Sequence, residues 1–143
     1  MQVLKSYNYD VSKANIKELP KLFFANKQRT ILESLDFHGI GLHTGNNIKM
    51  SINPAPVDTG VTFRKKGNNG TLTPIRAHYK NVQSTDLCTV LSNGTGCMVS
   101  TVEHILSALH ALEIDNAYID IDSNEIPVYD GSSKPFVEMF EKF

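Results

Sequence analysis

Short apolar and polar positions alternate along much of the chain, and the period changes three times. Leu35 and Phe37 flank Asp36, and Ile48, Met50 and Ile52 alternate with Lys49 and Ser51. A period of two predicts half-buried strands, because successive side chains on an extended backbone point to opposite faces. Pro54 and Pro56 end the second of these, and Asp58-Thr59-Gly60 turns the chain into Val61-Thr62-Phe63. Gly67-Asn68-Asn69-Gly70 is a strong turn, followed by an extended stretch from Thr71 to Ala77. Cys88 to Leu91 reads as a buried strand closed by Asn93-Gly94-Thr95-Gly96. Later, Ala117, Ile119 and Ile121 alternate with Tyr118, Asp120 and Asp122, predicting one more strand.

Between these strands the spacing becomes helical. Ile105, Ala108, Leu109 and Leu112 recur on one face, and Ser100-Thr101-Val102-Glu103 before them has the form of a capping box. After Pro127 and a turn at Asp130-Gly131, the residues Phe136, Met139, Phe140 and Phe143 predict a second helix. The chain ends inside that stripe without a closing glycine, which reads as a truncated end. Residues Met1 to Asn26 differ in texture. Lys13, Lys17, Glu18 and Lys21 among Ile16, Leu19, Leu22 and Phe23 suggest either a short amphipathic helix broken at Pro20 or a loosely attached tail. The division is therefore an N-terminal extension over 1–26 and an α+β domain over 27–143, with one sheet covered by helices.

Composition narrows the function. A chain of 143 residues suits one hydrophobic core. Net charge is -1, so there is no electrostatic footprint for nucleic acid. Arg64, Lys65 and Lys66 read as a solvated hairpin end. Cys88 and Cys97 do not form a C-x-x-C pair, and nothing else suggests a disulfide-stapled secreted scaffold. No apolar run approaches the ~20 residues of a membrane span. The first twenty residues lack the apolar segment of a secretory signal, so a cytoplasmic location is expected.

Chemistry concentrates in a few places. Glu103 and His104 stand together at a predicted helix start. Neutral imidazole is a good zinc ligand, and a nearby carboxylate can take a proton from water. The same two residues also suit blander roles, a capping-box glutamate and a boundary histidine. His43 lies in Gly39-Ile40-Gly41-Leu42-His43-Thr44-Gly45, where glycines allow close backbone approach to a ligand or simply a tight loop. Asp130-Gly131-Ser132-Ser133 suits either an anion at a helix N-terminus or a turn and cap.

Taken in order, these segments carry a resemblance. The Gly39–Gly45 run, Pro54-Ala55-Pro56 with Thr59-Gly60-Val61, Leu87-Cys88-Thr89, Ser100-Thr101-Val102-Glu103-His104, Ile114-Asp115-Asn116, and Glu125-Ile126-Pro127 leading into Asp130-Gly131-Ser132 resemble the UDP-3-O-acyl-N-acetylglucosamine deacetylase family of lipid A biosynthesis. The resemblance covers about Lys27 to Phe143. It implies two similar α+β domains with helices between two sheets, of which this chain is the first. It implies a zinc-dependent amide hydrolase in which His104 is a zinc ligand and Glu103 the general base. It further implies that Leu87, Cys88 and Thr89 line the substrate cleft, with His43 also on the substrate side and Asp130 near the site. The other zinc ligands, a histidine and an aspartate, and the fatty-acyl channel are implied for the second domain.

Three readings follow. The chain is half of a deacetylase acting on UDP-3-O-acyl-N-acetylglucosamine, incomplete alone and needing the C-terminal domain in trans. Alternatively it is a non-catalytic domain binding a sugar nucleotide or a partner protein. In the third reading it self-associates through its helix layer.

Overall fold

A computed structural model describes residues 4–8, 27–67 and 69–142. The amphipathic helix read between Lys13 and Phe23 lies outside the described residues. Among the described residues ten strands and two α-helices follow in order: β1 (Leu4–Asn8), β2 (Lys27–Ile31), β3 (Leu35–Ile40), β4 (Asn47–Pro54), β5 (Val61–Lys66), β6 (Leu72–Arg76), β7 (Val82–Ser84), β8 (Val90–Ser92), β9 (Met98–Ser100), α1 (Glu103–Ala111), β10 (Ala117–Ile121) and α2 (Lys134–Glu141). Strand β1, within the N-terminal extension, pairs antiparallel with β2.

The main sheet has the order β3-β4-β10-β5-β6. Only the β10–β5 pair is parallel; β10–β4, β3–β4 and β5–β6 are antiparallel. The period-two pattern decides which face is buried. Leu35, Ile52, Ile119, Phe63 and Ile75 sit opposite one another across the five strands and are all nearly inaccessible. One residue further along, Asp36, Ser51, Asp120 and Arg64 share the other face. There Arg64 pairs with Asp120 (Nε–Oδ1 2.5 Å) and its guanidinium lies 4.1 Å from the Tyr118 ring centroid. Arg64 is thus half-buried in an ion pair rather than part of a solvated hairpin end, and Lys65 donates to Asn124 Oδ1 at 2.7 Å.

Both helices cover the apolar face. Ile105, Ala108 and Leu109 of α1 and Phe136 and Phe140 of α2 join the strand residues in one core. Phe37 on β3 meets Phe136 and Phe140 with ring centroids 6.0 and 5.9 Å apart. A separate antiparallel sheet, β7-β8-β9, leads directly into α1. The structure is therefore α+β, with a mixed five-stranded sheet and two helices.

The Ile114-Asp115-Asn116 segment is architectural. Asp115 accepts the backbone N–H of Arg29 at 2.7 Å, while the N–H groups of Asp115 and Asn116 both donate to the Arg29 carbonyl. Buried Asn116 accepts from Gly60 N–H at 2.9 Å and donates to Gln28 at 2.7 Å. Thr30 Oγ1 donates to the Asn116 carbonyl and accepts from Ala55 N–H. These bonds tie β2, the β4–β5 connection and the start of β10 together.

Candidate active site

Helix α1 begins at Glu103, later than the capping box predicts. Ser100 is in β9, and its hydroxyl donates to the Asn124 carbonyl at 3.0 Å. The residue before the helix, Val102, makes no side-chain cap. The Glu103 carboxylate instead accepts the backbone N–H of Thr89 at 3.2 and 3.3 Å. A tertiary donor has replaced the local one. Its negative charge lies in the first turn of α1, where the helix dipole favours it. His104 follows, half-buried like Glu103.

Two non-glycine residues flanking this point have left-handed backbones. Leu87 has φ 64° and Thr101 has φ 59°. Such conformations cost energy for side chains with a Cβ and collect at functional sites. Leu87 is 93% exposed, a large apolar side chain displayed at the turn before Cys88 and Thr89. Thr101 is buried, and its hydroxyl has no hydrogen-bond partner. Beside Thr89, an open groove of about 280 Å³ is lined by Val61, Ala77, Tyr79, Val82, Leu91 and Leu106. Cys88 and Cys97 are both free thiols and half-buried.

The glycine-rich loop holding His43 is built around a different carboxylate. Glu125 has no exposed surface. It accepts from His43 N–H at 2.8 Å, from Thr44 N–H at 3.0 Å and from the Thr44 hydroxyl at 2.8 Å. Burial alone would raise its pKa, but the His43 amide and the two Thr44 donors together outweigh it. They hold the carboxyl below its ordinary value of 4.5. Gly41 is required beneath this carboxylate, since a Cβ there would collide with Glu125 and sit 2.6 Å from Thr44 Oγ1. The Gly39–Gly45 run and the Glu125-Ile126-Pro127 run are thus packed on one another; Val128 N–H also donates to the Ile40 carbonyl at 3.0 Å.

Asp130 is fully exposed and shapes a turn. Its Oδ1 accepts from the hydroxyl and the N–H of Ser132 at 2.8 and 2.9 Å, and these bonds lower its carboxyl below the usual range. Ser132 Oγ in turn accepts from Lys134 N–H at 3.1 Å at the head of α2. Of the two readings of this segment, the local hydrogen bonds are those of a turn, and Ser133 at the head of α2 makes no side-chain cap.

The Glu103–Thr89 bond brings the Leu87-Cys88-Thr89 segment to the head of α1, where His104 follows Glu103 in the chain. Among the described residues, no hydrogen bond joins the side chains of Glu103, His104, His43 and Asp130. Nor does any group of three His, Cys, Asp or Glu side chains among them converge to hold a metal ion. Since protein zinc sites use three or four ligands, the described residues do not by themselves fit a complete zinc site. The sequence marks Glu125 only as part of the Glu125-Ile126-Pro127 run, because a lone glutamate before Ile-Pro carries no local signal of burial.

Residues 28–143 match the family UDP-3-O-acyl N-acetylglycosamine deacetylase (LpxC). The chain belongs to that family. Its curated relatives include UDP-3-O-acyl-N-acetylglucosamine deacetylases from Idiomarina loihiensis (46% identical over 116 residues), Pseudoalteromonas atlantica (44% over 118) and Legionella pneumophila (45% over 115). Each alignment covers 80% of this chain. The matched region spans 37 to 38% of the length of these relatives. No described helix is long and apolar enough to cross a membrane.

Proposed function

We propose that this chain supplies one half of a UDP-3-O-acyl-N-acetylglucosamine deacetylase of lipid A biosynthesis, acting in the cytoplasm as the first of two similar domains over residues 27–143. The observation that carries the reading is the Glu103–Thr89 contact, in a chain whose relatives are named for that reaction. It places a carboxylate at a helix head against a strand end whose Leu87 is strained and exposed.

In this reading Glu103 is the general base that takes a proton from the attacking water as the acetamide is hydrolysed. Thr89 N–H, by donating to it, fixes its direction. Leu87, Cys88 and Thr89 border the sugar, and His43 contributes from the loop. Asp130 stands behind the site as a turn former. His104 would be one ligand of a catalytic zinc, which when bound polarises the amide carbonyl. The remaining ligands would come from outside the described residues, so the chain alone is inactive and works with the rest of the family's length, in cis or in trans. A single imidazole does not hold zinc well, because the affinity arises from several ligands acting together.

Adding the remainder of a family deacetylase to the purified chain tests this directly. Acetate should be released from UDP-3-O-acyl-N-acetylglucosamine by the mixture and not by either part. Turnover by this chain alone, free of any companion polypeptide, would overturn the incompleteness; a folded mixture without turnover would overturn the assignment.

A further inference from the structure

A fully buried carboxylate is costly unless its oxygens find donors. Glu125 takes all three of its donors from the loop at His43 and Thr44, none of them part of a sheet ladder. The residues on either side of it are anchored elsewhere, in a bridge between Ser100 and Glu125. Ser100 N–H and the Ser100 hydroxyl donate to the Asn124 carbonyl at 2.8 and 3.0 Å, and Ile126 N–H donates to the Ser100 carbonyl at 3.0 Å. Ser100 ends β9, close before Glu103 in the chain. One residue therefore joins the loop carrying His43 to the strand end that feeds α1.

We infer that Glu125 is a positioning residue: it fixes the His43 loop against the segment that delivers Glu103 and His104. This rests on the reading above that His43 borders the substrate. The loop closes the β3–β4 hairpin, where Gly41 N–H donates to the Asn46 carbonyl at 3.0 Å, but that closure leaves the His43 and Thr44 amides to Glu125. His43 and Thr44 are exposed, and within the turn Gly45 N–H donates to the Gly41 carbonyl at 3.0 Å. The carboxylate supplies what the loop lacks, charge-assisted acceptors at a fixed point, and such bonds are stronger than neutral ones.

Amide hydrogen exchange of the intact 143-residue chain tests it, with Glu125→Gln and, as a milder change, Thr44→Val. In Glu125→Gln the His43 and Thr44 amides are expected to exchange at least about tenfold faster, the size of one lost hydrogen bond to a charged group. The Ile52 and Ile119 amides of the central strands should keep their rates. Thr44→Val should speed His43 exchange by a smaller factor. Unchanged His43 and Thr44 rates in a folded Glu125→Gln chain overturn the inference. If that variant does not fold, an unchanged His43 rate in Thr44→Val overturns it. In the complemented deacetylase, Glu125→Gln should raise KM for the UDP-sugar about tenfold with kcat nearly kept. Wild-type KM and kcat beside faster loop exchange would make Glu125 merely structural. Absence of turnover in the wild-type mixture would instead fail the functional reading and leave the exchange result to judge Glu125.

Discussion

The Glu103 carboxylate accepts the backbone N–H of Thr89 at 3.2 and 3.3 Å, across a sequence separation of 14 residues. Helix head and strand end are therefore one unit. The side chain aimed by this bond belongs to α1, while its direction is decided by the backbone following Leu87 and Cys88.

Glu103→Gln should remove general-base action while keeping an acceptor for Thr89 N–H. The complemented deacetylase is expected to lose at least about a hundredfold in kcat, the usual worth of a positioned base. The chain's urea midpoint should stay close to wild type. Initial rates of acetate release check the first and a denaturation curve the second. Undiminished turnover would remove Glu103 from the mechanism.

Zinc content separates a lone imidazole from a full site. Elemental analysis of the purified chain should give well under one zinc per chain, rising toward one when the rest of the family's length is added. His104→Ala should abolish that rise. A full equivalent of zinc on the isolated chain is the contrary result.

Acid should weaken the fold through Glu125. Its folded carboxyl lies below the ordinary 4.5, so the unfolded chain binds the proton more readily. The stabilisation is thus fully present above 4.5 and is lost as pH falls through the lower folded value. The urea midpoint should be nearly level from about pH 7 to 5 and drop below pH 4.5, less steeply in Glu125→Gln. An acid limb of equal slope in the two proteins would assign the effect to other groups.

Phe37→Ala should be among the most damaging core changes. The ring is 0% exposed and supports both Phe136 and Phe140. A loss of about 3–5 kcal/mol is expected for such a deletion, read from chemical denaturation. A loss under about 1 kcal/mol would mean that α2 does not depend on this contact.

Asn116→Ala should cost about 1–3 kcal/mol without touching the chemistry, because it leaves Gly60 N–H without its acceptor. Complemented activity measured well below the unfolding temperature should be near wild type. A selective loss of activity in a chain of normal stability would contradict its architectural role.

Much of the fold was legible because its signals are local. The alternation of Ile48, Met50 and Ile52, the turn after Lys66 and the stripe of Ile105, Ala108 and Leu109 each declare an element within a few residues. Where two explanations were local, the structure chose between them by a partner far away. Ser100 and Glu103 have the spacing of a capping box, yet one is bonded to Asn124 and the other to Thr89. Arg64 looked solvated until β10 brought Asp120 and Tyr118 beside it.

The ordered motifs alone determined the family, since its segments recur in sequence from the Gly39–Gly45 run to Asp130-Gly131-Ser132, and Glu103, His104 and Leu87 to Thr89 were marked there. Only the tertiary structure decided what these motifs touch. Ile114-Asp115-Asn116 ties strands together, Asp130 shapes a turn, and Glu125 reaches 82 residues back to His43. The reason is physical: a buried carboxylate or amide is defined by its donors, and those donors come from parts of the chain that only folding brings within 3 Å.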